Sequence, residues 1–214
     1  MNDRYSYDNL YWFNMAKNIG AKVRLSRRVG IPITPKSIRI MERKPFKPGV
    51  HKGQKTKLST YGQQLQELQK VKFFYNITRR QLKRYFETAR RKKGNTVDNL
   101  FAILESRLDT ILVRAGVCPT IYGAGQLVSH GHVFVNGSKV NVRSYQVKAG
   151  DIISLSDKAK KIPMVVESVK NYTPAKHLEL NKENFEIKVL FIPKREEVPF
   201  DVEANQVVEL LSRQ

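Results

Sequence analysis

This sequence has little cysteine, few acidic side chains and no long apolar run. Cys118 is the only cysteine, so neither a disulfide within the chain nor a cysteine zinc cluster can form. No apolar run approaches the roughly 20 residues that a membrane-spanning helix needs. Asp and Glu number 19 against 39 Lys and Arg, which gives a formal net charge of +20. These shortages argue against a disulfide scaffold and a membrane protein, and they leave a strongly basic chain.

The basic excess is confined to residues 1–155, because residues 156–214 carry ten basic and ten acidic side chains. Residues 15–57 alone carry thirteen basic side chains against one acid, Glu42. A solvated face is one interpretation of such a run. However, an excess this dense repels itself unless a polyanion neutralises it. Nucleic acid is therefore the first candidate partner, and an anionic membrane surface is the second.

The N-terminal part is expected to hold an extension and a basic arm. Residues 1–14 lack a signal-peptide core and make a poor transit peptide, and Met15 is an alternative start. Residues 15–58 are interrupted by proline or glycine every few positions, and proline resists helix interiors. We predict an irregular arm that orders mainly against its partner.

Helical patterning begins near Ser59 and predicts a helical domain over residues 59–106. A second helix opens at Thr78, whose spacing to Gln81 fits a capping box, and stops at Gly94. Its apolar stripe faces a core, so its other faces are available to an anion. The basic side chains on those faces are Arg79, Arg80, Lys83, Arg84, Arg90 and Arg91.

Residues 107–155 are predicted to form a module of two helices and a hairpin. A third helix runs from Thr96 to about Arg114, and Thr120 caps a further short helix. The apolar period then changes to two, and Asn136-Gly137 is a strong hairpin signal.

The remaining residues, 156–214, are predicted to contain two short strands and a terminal helix. We expect this C-terminal segment to pack back on the helical domain. Helices and antiparallel strands are thus segregated along the chain, and the predicted fold class is α+β.

Two histidines close together, His130 and His132, raise the question of a metal site. Structural zinc usually needs four ligands and catalytic zinc three, whereas His51, His177 and Cys118 lie elsewhere along the chain. Cys118 stands at a helix boundary without a visible third partner for nucleophilic catalysis. We therefore expect no catalytic residue, no metal and no cofactor.

A polar surface on the module is the remaining candidate site. Glu105 and Asp109, with Arg107 between them, are interpreted as a salt-bridged helix surface and not as an acid/base pair. Side chains of the module can bond phosphate or ribose, and a histidine ring can stack on an exposed base, which favours structured RNA. A hydrogen bond at a helix end is the competing interpretation for either histidine. The candidate side chains are Arg107, Arg114, Gln126, Ser129, His130 and His132.

Five motifs resemble one family over nearly the whole length. They are "LSRR" at 25–28, "KPGVHKG" at 47–53, "STYGQQLQELQKVK" at 59–72, "RRKKGNTVDNLFAILESRLD" at 90–109 and "QLVSHGHVFVNGSKVNVRSYQVKAGDIISL" at 126–155. On these residues the chain resembles the family of small-subunit ribosomal protein four, from about Ala16 to Arg213. The part from "SRLD" to "DIISL" looks like the RNA-binding module that this family shares with pseudouridine synthases and some tRNA synthetases.

The resemblance implies a structural RNA-binding protein of the small ribosomal subunit and not an enzyme. Members bind a multi-helix junction in the 5′ domain of small-subunit ribosomal RNA early in assembly. They lie beside the channel through which messenger RNA (mRNA) enters, next to small-subunit proteins three and five, and bear on decoding accuracy. The alternatives are an RNA-modifying enzyme that carries the same module and an mRNA-binding translational regulator. We expect neither membrane association nor a homo-oligomer.

Some features depart from the usual family pattern. Many members carry zinc-binding cysteines in the N-terminal arm, and this chain has none there. The stretches "VCPT", "ILVR" and "HLEL" look like mitochondrion-encoded members. The expected location is therefore the ribosome of the mitochondrial matrix or of the bacterial cytoplasm.

The predicted RNA-binding residues come from the arm, the helical domain and the module. In the arm they are Lys22, Arg24, Arg27, Arg28, Arg39, Arg43, Lys44, Lys47, His51, Lys52, Lys55 and Lys57. In the helical domain they are Tyr61, Lys70, Arg79, Arg80 and Arg84. In the module they are Arg107, Arg114, Gln126, Ser129, His130, His132 and Asn136.

Overall fold

The computed structural model describes residues 20–49, 58–199 and 201–213, and their mixture of helices and one antiparallel sheet confirms the α+β class. The described helices are α1 (Lys22–Val29), α2 (Pro35–Arg43), α3 (Thr60–Phe74), α4 (Arg79–Arg91), α5 (Thr96–Glu105), α6 (Leu108–Arg114), α7 (Ile121–Ser129), α8 (Asp157–Lys160), α9 (Pro163–Asn171) and α10 (Ala204–Ser212). The strands are β1 (Val133–Val135), β2 (Ser138–Lys139), β3 (Ile152–Leu155), β4 (Leu178–Asn181) and β5 (Glu186–Val189). None of these helices is long and apolar enough to cross a bilayer.

The chain divides into two compact units at boundaries that differ from the predicted ones. Among the described residues, one unit contains those up to Phe86 and those from Val202 onward, and the other contains those between Glu87 and Asp201. The predicted helical domain, residues 59–106, is therefore divided, because α5 belongs to the second unit. The predicted packing of the whole C-terminal segment on that domain is wrong for β4 and β5, because these strands extend the sheet of the second unit. Arg195 does lie against the predicted domain, since its guanidinium is over the Phe101 ring of α5.

The prediction of an irregular arm is wrong for its described part, which contains α1 and α2. Pro35 does not break α2, because it stands in the first turn, where its missing N–H has no helical partner to lose. Gly30, with a φ of 79°, ends α1 in the left-handed conformation. The hydroxyls of Ser26 and Ser37 are 2.9 Å apart and buried, so they join the two helices.

In the first unit, α10 packs against α3. The Gln64 amide donates to the Glu209 carboxylate at 2.8 Å, and the backbone N–H of Glu203 donates to the Glu67 carboxylate at 3.0 Å. Polar bonds therefore fix the register of two helices that are distant in sequence.

The predicted third helix is broken between α5 and α6. Arg107 is extended there, with φ −69° and ψ 138°. The N–H of Val147 donates to the carbonyl of Ser106 at 2.8 Å, and the N–H of Leu108 donates to the carbonyl of Tyr145 at 2.9 Å. These bonds to a distant segment stabilise the break, and helical spacing gives no sign of them.

The second unit is built on one sheet with the strand order β2-β1-β3-β5-β4, in which every neighbouring pair is antiparallel. Asn136 and Gly137, with φ of 49° and 78°, form the predicted hairpin turn. Strand β2 ends at Lys139, so the alternating apolar residues that follow, up to Val142, do not form a strand. The helices and the sheet both contribute buried residues to one core. These residues include Leu108, Leu112, Val128, Val135, Ile153, Val165, Ile187 and Val189.

Two helices beside this core, α8 and α9, were not expected. Pro163 begins α9 in the first turn, as Pro35 begins α2. Thr120 caps α7 as predicted, because its hydroxyl accepts from the N–H of Gly123 at 3.1 Å.

Candidate nucleic-acid interface

Helix α4 separates an apolar side from a basic side. The hydroxyl of Thr78 accepts from the N–H of Gln81 at 3.2 Å, which starts the helix where the sequence predicts. Leu82, Phe86 and Ala89 are 0%, 4% and 0% exposed. The exposed basic side chains are Arg79, Arg80, Lys83, Arg84, Arg90 and Arg91. A polyanion lying along α4 would meet positive charge at each end of the helix and in its middle.

Two of the predicted RNA contacts, Arg107 and Arg114, do not lie at the surface, because both side chains are buried in ion pairs. Arg107 binds the Asp109 carboxylate through two nitrogens, at 3.1 and 2.8 Å. Arg114 binds the Glu105 carboxylate in the same way, at 2.9 and 2.8 Å. The Arg107 and Arg114 side chains are only 3% and 7% exposed, so neither guanidinium group is presented to a nucleic acid. The predicted salt-bridged helix surface is instead buried, and it involves two pairs, Arg107 with Asp109 and Arg114 with Glu105.

These pairs explain why Asp109 and Glu105 are poor candidates for catalysis, and the Cys118 thiol is a poor one for a related reason. Burial raises the pKa of the Asp109 carboxyl, and the facing Arg107 guanidinium opposes that rise. Burial also raises the pKa of the Cys118 thiol to about 12, so the thiol is protonated at neutral pH. A buried protonated thiol is a weak nucleophile.

Three predicted contacts lie together in a cleft of about 140 Å³. Gln126, His130 and His132 contribute its polar groups, and Leu127, Ile162 and Met164 contribute apolar atoms. The rings of the two histidines are 6.3 Å apart and tilted by 50°. A cleft with two imidazole rings and an amide can accept a base by stacking and hydrogen bonding.

The apolar wall of this cleft was missed by the sequence argument. Ile162 and Met164 lie at the start of α9, and the signal that could have found this helix is Pro163 between them. His132 is held in place, because its Nδ1 lies 3.1 Å from the Ser156 hydroxyl. Ser129 is exposed on α7 but does not line the cleft.

Asn136 serves the hairpin. Its amide nitrogen donates to the Asp151 carboxylate at 2.9 Å, and its amide oxygen accepts from the N–H of Ile152 at 2.9 Å. Both ends of the amide are therefore used inside the protein. An RNA contact by Asn136 stays a prediction.

The predicted contacts of the arm lie on or beside α1 and α2 where they are described. Arg27 donates to the Phe46 carbonyl at 2.9 Å, and its guanidinium lies over the Phe46 ring, so it holds the following loop. Lys22 is partly buried, and burial lowers its pKa. The exposed contacts are Arg24, Arg28, Arg39, Arg43, Lys44 and Lys47. The predicted contacts outside the described residues are His51, Lys52, Lys55 and Lys57.

Two predicted contacts on α3 differ in their environment. Tyr61 is exposed. Lys70 pairs with Glu67 at 2.6 Å and is only 16% exposed. An RNA phosphate would therefore have to compete with a carboxylate for Lys70.

Two family models match the chain. The one described as "Ribosomal protein S4/S9 N-terminal domain" matches residues 17–105, and the one described as "S4 domain" matches residues 106–153. Together they cover most of the chain, including α4 and the cleft residues of α7.

Three bacterial proteins named "Small ribosomal subunit protein uS4" are similar over almost the whole length. That of Chlorobium phaeovibrioides (strain DSM 265 / 1930) is 40% identical over 203 residues, which are 93% of this chain and 100% of the relative. That of Thermobifida fusca (strain YX) is 39% identical over 200 residues, 91% of this chain and 98% of the relative. That of Wolbachia sp. subsp. Brugia malayi (strain TRS) is 42% identical over 205 residues, 93% of this chain and 100% of the relative.

These relatives are bacterial, so they give no support to the expected mitochondrial location. Their shared name confirms the resemblance and the expectation of a ribosomal protein in place of an enzyme. With both family models matched and about 40% identity over more than nine tenths of its length, the chain belongs to the uS4 family of small-subunit ribosomal proteins.

Proposed function

We propose that this chain is a structural RNA-binding protein of the small ribosomal subunit. It binds a multi-helix junction in the 5′ domain of small-subunit ribosomal RNA early in assembly. In this proposal it lies beside the channel through which mRNA enters, next to small-subunit proteins three and five, and supports decoding accuracy. Family membership supports the ribosomal role.

The observation that carries the proposal is the exposed basic side of α4. Six of the thirteen residues of this helix are Lys or Arg, and Glu87 is its one acid. A protein that neutralises Z phosphates releases their counterions, and its affinity falls with salt with a log–log slope of about −0.9Z on B-DNA and about −0.7Z on single strands. Helix α4 can therefore supply up to six such contacts without help from the arm.

The cleft supports a second, less salt-dependent part of the recognition. The Gln126 amide can both donate and accept, and the rings of His130 and His132 offer faces for stacking. Contacts of this kind depend on the shape of the RNA and the position of an unpaired base. They distinguish the junction from other RNA of equal charge.

The alternatives make different demands on the same residues. An RNA-modifying enzyme needs a carboxylate that reaches its substrate, whereas Asp109 of the module and Glu105 just before it are buried in ion pairs. An mRNA-binding regulator could use the same basic helix and cleft. A regulator is therefore distinguished from a subunit protein by whether the chain stays bound to small subunits.

Co-sedimentation through a sucrose gradient tests the proposal. After a high-salt wash, the chain is expected to stay with small subunits at about one copy per particle. A variant with Arg79, Arg80 and Arg84 all changed to Gln is expected to be depleted from the particles. Release of the unaltered chain by the wash, while other subunit proteins stay bound, would contradict a structural role and favour the regulator.

A further inference from the structure

Helix α7 carries no Lys or Arg, although three of the predicted RNA contacts lie on it or directly after it. Gln126 and Ser129 are exposed on the helix, and His130 is exposed at the residue that follows it. If this surface binds RNA, the positive charge that holds the phosphates must come from another part of the chain.

Arg143 supplies one cation, because its side chain lies against the backbone of Gly125. A Cβ added at Gly125 would lie 2.7 Å from Cδ and 3.1 Å from Nη1 of Arg143. Contacts this short mean that any side chain at residue 125 would push the arginine away. Gly125 therefore provides the gap in which the guanidinium lies beside the helix.

Lys139 supplies a second cation at the C-terminal end of α7. A Cβ added at Gly131 would lie 2.9 Å from the Nζ of Lys139 and would also contact its Cε. Gly131 has a φ of 69°, which a larger residue rarely adopts. The Lys139 side chain thus lies over the backbone of Gly131, which is the residue between His130 and His132 in the sequence.

Both glycines are adjacent in sequence to polar side chains of this surface. Gly125 precedes Gln126 within α7, and Gly131 follows His130 just after the helix ends. Because Arg143 and Lys139 lie against these two backbone positions, both charges are placed near the polar side chains.

Lys139 is exposed and Arg143 is half-buried, so both cations can meet an external anion. Within the part of the chain that the structure describes, neither Lys139 nor Arg143 forms a salt bridge. Arg143 acts electrostatically on the Asp109 carboxylate, which Arg107 already binds through two nitrogens.

We propose that Arg143 and Lys139, held in the gaps at Gly125 and Gly131, bind two RNA backbone phosphates on either side of the base or ribose recognised by Gln126 and His130. This inference rests on the proposed RNA-binding function and adds two binding residues to it. It also gives both glycines a positioning role.

The test measures affinity for the small-subunit junction RNA between 50 and 200 mM salt. Arg143→Gln and Lys139→Gln are each expected to lower the magnitude of the salt slope by about 0.7 to 0.9. The advantage of the unaltered chain over either variant then shrinks about threefold across this salt range. Lys188→Gln is the matched control, because it removes one exposed charge from β5 of the same unit and should leave the slope unchanged.

Gly125→Ala keeps every charge but pushes Arg143 away, so it is expected to weaken junction binding and lower the slope as Arg143→Gln does. A melting curve for each variant separates lost folding from lost contact, and Arg143→Lys should restore the slope. If the unaltered chain prefers the junction but Arg143→Gln and Lys139→Gln keep its slope, this inference is wrong and the proposed function stands. If the unaltered chain shows no preference, the proposed function itself fails.

Discussion

Arg79 and Arg107 have the same side chain, yet Arg79 is exposed and Arg107 is buried against Asp109. The sequence is sufficient to predict that Arg79 is exposed, because Leu82 and Phe86 mark the buried stripe of one regular helix. It is not sufficient for Arg107, because the helix is interrupted there by hydrogen bonds to residues 145–147. Charge and spacing could therefore predict exposed cations on helices, but not those buried where two segments meet.

Replacing Arg107 with Met should destabilise the fold without a direct effect on RNA contacts. The change leaves the Asp109 carboxylate buried without its partner, and breaking such a pair costs about 3–5 kcal/mol. Urea unfolding measures the loss in the free energy of unfolding. The double variant Arg107→Met/Asp109→Leu should recover part of it, and an unchanged unfolding curve for the single variant would contradict the buried pair.

His177 should make the stability depend on pH. It is 4% exposed, its Nε2 has no hydrogen-bond partner among the described residues, and burial lowers its pKa below the ordinary 6.5. The unfolded chain then binds a proton at a higher pH than the folded chain does. Stability should be greatest above about pH 6.5 and fall as the pH drops below that value.

Urea unfolding at several pH values between 5.5 and 7.5 measures this effect. His177→Phe should flatten the dependence, whereas changing the more accessible His130 and His132 to Gln should leave most of it. A stability that rises on acidification would show that the assigned direction is wrong.

Among the elements, those defined by local signals agree with prediction. The capped helices α4 and α7 and the Asn136-Gly137 hairpin begin where Thr78, Thr120 and the change of period indicate. Helix α2 is not predicted, because proline counts as a helix breaker, whereas Pro35 stands in the first turn, where proline is tolerated. Helix α9 begins in the same way at Pro163. The break between α5 and α6 could not be predicted, because its cause is a hydrogen-bonded segment far along the chain.

Helix α4 and the cleft on α7 should contribute to RNA binding in different ways, the helix to affinity through charge and the cleft to the preference for one RNA. Changing Arg79, Arg80 and Arg84 to Gln removes three charges, so it should lower the magnitude of the salt slope by about 2 to 3. Changing Gln126, His130 and His132 to Ala should leave the slope almost unchanged and narrow the preference for the junction over other RNA. Filter binding on both RNAs gives both quantities, and identical effects of the two sets would contradict this division.

Over the whole molecule, charge and folding units follow different boundaries. The net charge of +20 lies before residue 156, yet residues 156–201 complete the sheet of the second unit and provide one wall of the cleft. A charge profile along the sequence therefore indicates the part of the chain proposed to bind RNA but not where a unit ends. The sequence resemblance was sufficient to predict the family. The extent of the second unit could be recognised only from the pairing of β3 with β5 in the structure.

If the proposed function holds, electrostatic attraction and shape recognition act together on one RNA. The most direct measurement compares affinity for the small-subunit junction with affinity for unrelated RNA of equal length, between 50 and 200 mM salt. Six to ten phosphate contacts predict a loss of roughly 10³ to 10⁵ in affinity over this range. The preference for the junction should widen as nonspecific binding weakens. A slope near zero, or a preference that disappears at 200 mM salt, would contradict the account.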